Sequence, residues 1–315
     1  MRSGVVGKYL LLLLGVFTGA TSVLMIKQST LHPVPLASYR MLLAAAMLAP
    51  LFLRDLRRRR GEFTRVHLRR TLLPGVLLGA HFIAWIFGAR MTLMGNANLI
   101  VNLVPVAMPF LLYFLARERL NAGELWGTLA ALAGVTVLAG GDYRLEGTIF
   151  AGDIVCFVAM TLFAAYLALG RRNRDFPTIW LYIVPLHFFG GTVCFLAALA
   201  AGCDVAIRTW NDLAMALGLA AVPTVLGHTI YNAAMKWFRG QVVSVTGLSQ
   251  FIFGAALGWL FLREAPTWNF YLAAVLVVSG AIVALRATLA AVRRLESSAP
   301  VHTGPPAADD PQQRA

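Results

Sequence analysis

The stretch from His81 to Leu120, HFIAWIFGARMTLMGNANLIVNLVPVAMPFLLYFLARERL, decides what kind of chain this is. It holds the end of one apolar run, 72–91, and the whole of another, 97–115, parted by a short polar segment and closed by Arg117, Glu118 and Arg119. About 20 apolar residues at 1.5 Å rise per residue match a hydrocarbon core of about 30 Å, so each run reads as a transmembrane helix. A membrane β-barrel would show shorter segments of alternating polarity instead.

Working outward, the same pattern recurs at 9–25, 34–53, 122–140, 154–169, 179–201, 213–235, 242–262 and 268–285, which brings the predicted spans to ten. A composition of 59% hydrophobic and 13% charged residues, with a mean hydropathy of +0.72, excludes an ordinary soluble domain. The net charge of +13 raises the question of nucleic acid, but the basic residues cluster between the apolar runs, where topology explains them. Lys and Arg are retained on the cytoplasmic side during insertion. With the N-terminus inside, every basic residue falls on an inner segment except Lys27, Arg90, Arg144, Arg208 and Arg263 on outer segments and Arg40 within the second span. The reading is a multi-pass plasma membrane protein of the bacterial inner-membrane type, both termini cytoplasmic, surrounded by lipid bilayer and without a nucleic-acid partner. The block RDLRRRR at 54–60 is read as part of this inner charge, in preference to a site for anionic lipid or nucleic acid. Cys156, Cys194 and Cys203 show no CxxC spacing, so neither a disulfide framework nor a metal site is expected, and no cofactor.

The spans repeat as a set. Glu118 and Glu264 each end an apolar run and stand 146 residues apart, as do Gly134 and Gly280, while Ala89 and Ala234, and Gly95 and Gly240, stand 145 apart. Each unit holds five spans, an odd number, so the second copy enters the membrane from the opposite side. The expected fold is an all-α membrane protein with ten transmembrane helices as two inverted five-helix repeats, at 1–146 and 147–292, followed by a disordered cytoplasmic tail at 293–315. The first run, which could pass for a signal peptide, is retained because its counterpart at 154–169 cannot be one.

The segment 81–120, with Pro105 thirteen residues before Glu118, together with GHTIYNAAMKWFRGQVVSV at 227–245 and Arg40 in SYRMLLAAAML, resembles the EamA-type drug/metabolite transporter superfamily. The resemblance covers roughly 9–285. It implies helices one to four and six to nine around a central cavity, helices five and ten at the periphery, and alternating access. Thirteen residues before Glu264 stands Phe251, preceded by Gln250, where the family commonly has Glu-Pro; bending there is then left to Gly254 and Gly258.

Polar groups in lipid are costly and face the protein interior or a water-filled cavity. His81 and Trp85, Asn98 and Asn102, His228 and Asn232, and Thr246 and Gln250 are i,i+4 pairs, each pair on one helical face. With Tyr231 and the buried charge of Arg40 they form the candidate substrate-binding set, suited to a small polar or amphipathic metabolite such as an amino acid; the competing role for each is bridging between helices. Pro105 and Pro223 are the candidate gating hinges. Glu118 and Glu264, each beside an Arg, are candidate gate acids or local surface pairs.

Every Asp and Glu lies in a loop, in the tail or at a span end, which disfavours a buried carboxylate relay and leaves exchange, facilitated diffusion or proton coupling through His81, His187 or His228. There is no GxxxxGK[ST] loop, so transport is expected to be secondary and not ATP-driven. The chain is not expected to be an enzyme: no HExxH, GxSxG or carboxylate pair lies in the spans. A non-transporting membrane receptor or scaffold is the runner-up, with an intramembrane enzyme behind it. The oligomeric state is left open between monomer and homodimer.

Overall fold

The computed structural model describes residues 2–116, 122–145, 147–173, 175–227, 229–230, 234 and 246–298. The candidate residues His228, Tyr231 and Asn232, the acid Glu118 with its neighbours Arg117 and Arg119, and the tail from 299 onward lie outside these.

All regular structure among the described residues is helical. Helices α1 (Arg2–Gln28), α2 (Pro33–Arg58), α3 (Arg65–Arg70) and α4 (Leu72–Met91) open the chain. α5 (Met94–Val101), α6 (Val104–Ala116) and α7 (Ala122–Leu145) complete the first half. The second half holds α8 (Gly147–Arg172), α9 (Ile179–Ala200) and α10 (Trp210–Leu219), which runs into a π-helical segment, Ala220–Gly227. It closes with α11 (Gln250–Leu257), a second π segment (Gly258–Leu262) and α12 (Trp268–Ser298). Among the described residues six stretches are long and apolar enough to cross a membrane: Gly7–Gln28, Pro33–Arg58, Arg65–Met91, Gly147–Gly170, Ile179–Ala200 and Trp210–Gly227; shorter apolar helices cover Leu125–Leu138, Thr246–Leu262 and Trp268–Val283.

Among the described residues three spans differ from the uninterrupted runs expected from hydropathy, the ninth being interrupted at Ser249 and widening into π geometry at Gly258–Leu262. The fourth is broken at Asn102 and Leu103 into α5 and α6, and Pro105 stands in the first turn of α6, where its missing N–H costs no intrahelical bond. The eighth widens into π geometry around Pro223, whose ring cannot follow the preceding α-helical turn. α12 also continues through Arg293 and Arg294 to Ser298, past the expected end of the last span at 285.

The halves pack reciprocally. A Cβ on Gly134 would lie 2.9 Å from the carbonyl oxygen of Ala273, and one on Gly280 would lie 2.4 Å from that of Gly127. Both members of the second contact are the first contact's partners shifted by 146 residues and exchanged. As numbers rise along α7 they fall along the facing α12, so these helices run antiparallel. α5 and α11 do the same: Met94 faces Gly258 and Asn98 faces Gly254. Between α7 and α12 side chains of at most one heavy atom let the backbones meet, which matters in lipid because close packing, with no hydrophobic driving force behind it, must hold the helices together. The outward surface is apolar, with Leu10, Phe114, Leu196, Leu260 and Val275 exposed, as a lipid-facing shell requires.

Candidate functional site

Arg40 marks the centre of the polar interior. It stands about two turns into α2 and is 3% exposed. Its Nε donates to Thr224 Oγ1 at 2.8 Å, its Nη1 donates to Ser22 Oγ at 3.0 Å, and its guanidinium carbon lies 4.0 Å from the centre of the Phe82 ring. Among the described residues no carboxylate pairs with it. A charge at a helix centre costs about 3 kcal/mol on insertion scales, and here two hydroxyls and an aromatic face offset part of that. The π segment supplies the first hydroxyl: Thr224 Oγ1 donates to Leu219 O at 2.8 Å, five residues back, and presents its lone pairs to Arg40. Trp85 joins the group by donating from Nε1 to Ser22 Oγ at 3.5 Å.

One turn earlier on α1 lies a second polar group. Gln250 Nε2 donates to Asn98 Oδ1 at 2.9 Å, and Asn102 Nδ2, at the break in the fourth span, donates back to Asn98 O at 2.7 Å. Two glycines make room: a Cβ on Gly19 would sit 2.7 Å from Gln250 Oε1, and one on Gly254 would sit 2.4 Å from Asn98 Nδ2. Gly19 and Ser22 are three residues apart, on one face of α1. The two groups therefore form one seam between first-half residues Ser22, Arg40, Trp85 and Asn98 and second-half residues Thr224 and Gln250.

Other candidates are placed differently. His81 turns toward α8, donating from Nδ1 to Ala159 O at 2.8 Å and stacking on Phe163 with centroids 4.7 Å apart. His187 donates from Nδ1 to Ile183 O at 2.9 Å, and its buried Nε2 has no partner among the described residues. Thr246 opens the described part of the ninth span, its carbonyl accepting from Ser249 N at 3.0 Å. Among the described candidates His81 and Trp85 are each 4% exposed and Asn98 0%, while Asn102, Thr246 and Gln250 are half-buried.

The end predicted to be outer is tied by charge. Glu264 forms an ion pair with Lys27 and accepts from Met94 N at 2.6 Å, while Lys27 Nζ also donates to Thr92 O at 2.7 Å. Arg263, with φ of 57°, turns the chain left-handed and aims Glu264 back at α1 and α5. The local pair with Arg263 considered from sequence is thus replaced by a pair across the halves. Asp212 accepts from Ser29 Oγ at 2.9 Å, Thr30 N at 2.7 Å and Thr30 Oγ1 at 2.7 Å, clamping the α1–α2 turn onto α10. Arg90 donates to Ser29 O at 2.8 Å. At the opposite end Arg70 forms a two-pronged bond to Asp175, at 2.6 and 2.8 Å, which holds the Asp175 carboxyl below its ordinary pKa. Asp204, in the loop after α9, is also held low, first by the backbone N–H of Ala206 and then by Arg208.

Ser22 and Thr224 were not singled out from sequence. A hydroxyl in a helix satisfies itself on the preceding turn, so a lone Ser or Thr in an apolar run carries little signal; the one hint was that Thr224 follows a mid-span proline.

Helical spans around a hydrogen-bonded polar seam define a polytopic helical membrane protein. The family follows from comparison: the model of the EamA-like transporter family matches residues 6–140 and again 150–286, so the chain belongs to that family and carries two copies of its domain. It is a family of membrane transporters and not of enzymes. No curated protein sequence matches. Several solved structures are similar, among them a crystal structure with a TM-score of 0.61 and 19% identity, covering 89% of this chain and 98% of that one, a likeness that concerns the fold alone.

Proposed function

We propose that this protein is a secondary transporter, not driven by ATP, that moves a small polar or amphipathic metabolite such as an amino acid by alternating access. The observation that carries the reading is the seam itself, in which Arg40 of the first half bonds Thr224 of the second and Asn98 bonds Gln250. In transporters built of inverted repeats the substrate lies between the repeats, often beside interrupted helices, and the interrupted fourth and ninth spans and the π-widened eighth border the seam here. The antiparallel packing of equivalent helices supports ten spans in two inverted halves, 1–146 and 147–292, around a site that opens to one side at a time. The charged ties at the Glu264 end correspond to a state closed outward. Loop charge supports an inner-membrane protein with both termini in the cytoplasm.

The substrate set is Arg40, Trp85, Asn98, Asn102 and Gln250, with His81, Thr246 and the residues His228, Tyr231 and Asn232 as further members. A metabolite uptake and export screen comparing cells with and without the protein identifies solutes, and counterflow of each hit in ion-gradient-free liposomes tests the mechanism. Counterflow without nucleotide is expected. A strict requirement for ATP overturns the reading.

A further inference from the structure

We infer that the solute carries a single carboxylate, which Arg40 binds through its unused N–H groups; the inference rests on the transport reading above and specifies its site. A guanidinium has five N–H donors in a planar fork. Thr224 and Ser22 take one each, and no other described residue accepts from Arg40, so three donors remain, two of them on Nη2. Among the described residues the missing countercharge does not come from elsewhere in the spans. Residues 227–250 contain no Asp or Glu, and the buried acids Asp55, Asp153 and Asp212 lie in the last turn of α2, the second turn of α8 and the first turn of α10, bonded to Arg54, to Thr92 and to the α1–α2 turn.

A permanent charge is thus held between the halves by neutral partners that fix its orientation without neutralising it. Bidentate guanidinium pairing suits a carboxylate. No second cation joins Arg40 in the seam among the described residues, so one negative charge balances it and a phosphate dianion would be left half compensated. Phe82 and Trp85 supply an apolar aromatic surface beside the fork, which fits an uncharged organic body on the acid.

The test uses the full-length protein in lipid nanodiscs, with thermal midpoint shifts measured for matched pairs: phenylalanine and phenylalaninamide, benzoate and benzamide, isovalerate and isovaleramide. At least one acid is expected to bind tenfold or more tighter than its amide, with Arg40→Gln reducing that ratio to about one and Arg40→Lys keeping part of it. Thr224→Val, which retains the charge and loosens its orientation, is expected to weaken acid binding severalfold and leave amide binding unchanged; it decides the matter if Arg40→Gln does not fold. Amides binding as well as acids, no acid binding at all, or a folded Arg40→Gln with the ratio intact each overturn the inference. Acid-selective binding without flux in liposomes sinks the transport reading alone, and flux indifferent to the carboxylate sinks only this one.

Discussion

Gly280 of α12 approaches Gly127 of α7 so closely that a Cβ on Gly280 would stand 2.4 Å from the Gly127 carbonyl oxygen. Backbone cannot yield as a flexible side chain can, so Gly280→Leu is expected to destabilise by about 1–3 kcal/mol, the usual cost of overpacking. The equivalent Gly134→Leu should behave alike, and Gly140→Leu, with nothing within 4 Å, should have little effect. Thermal unfolding in nanodiscs measures this; equal midpoints for all three would remove the case for reciprocal packing.

Lys27 and Glu264 join the ends of the first and ninth spans. Glu264→Gln keeps an acceptor for Met94 N and loses the ion pair, so the outer end should open more often. In a Cys203→Ser background, a cysteine placed at Ser22 is expected to react severalfold faster with an impermeant maleimide added outside. An unchanged rate argues against an outer latch.

Pro223 produces the π turn that aims Thr224 at Arg40. Pro223→Ala lets the segment relax toward α geometry and rotates Thr224 away. Flux should fall more than stability, and Pro105→Ala at the broken fourth span is expected to act the same way. Wild-type transport kinetics in both would refute the hinge assignment.

Gln250 and Asn98 share one interhelical hydrogen bond. Such bonds average about 0.6 kcal/mol in a membrane protein and reach about 1.7. Gln250→Ala is expected to destabilise within that range while lowering apparent solute affinity; a stability loss with solute affinity untouched would assign the pair to helix bridging.

Asp175, bonded by Arg70, is held below its ordinary pKa at the predicted inner end. A carboxylate with a depressed folded pKa adds stability above its unfolded pKa and loses it as pH falls through the folded value. Asp175→Asn should therefore melt below wild type at neutral pH, with the gap closing on acidification. A gap that widens as pH falls contradicts the pairing.

Much of the architecture was legible in the residues alone. Apolar runs such as 72–91 declare a span because the bilayer sets one length for every helix, and the 146-residue offset of Gly134 and Gly280 declares the duplication because both copies answer to the same packing. Lys and Arg between the runs give an expected sidedness, because charge resists translocation. What the tertiary structure alone decided is which polar groups meet. Asn98 and Gln250 announce themselves as buried polar residues, but their partnership across 152 positions depends on how each helix is rotated about its axis. Ser22 and Thr224 gave no warning, since a hydroxyl can be satisfied by its own helix, and Glu264 found Lys27 in place of the adjacent Arg263 because one left-handed residue turned it inward. Hydropathy is summed residue by residue along the chain, whereas the seam arises from relative orientation, which no local window records.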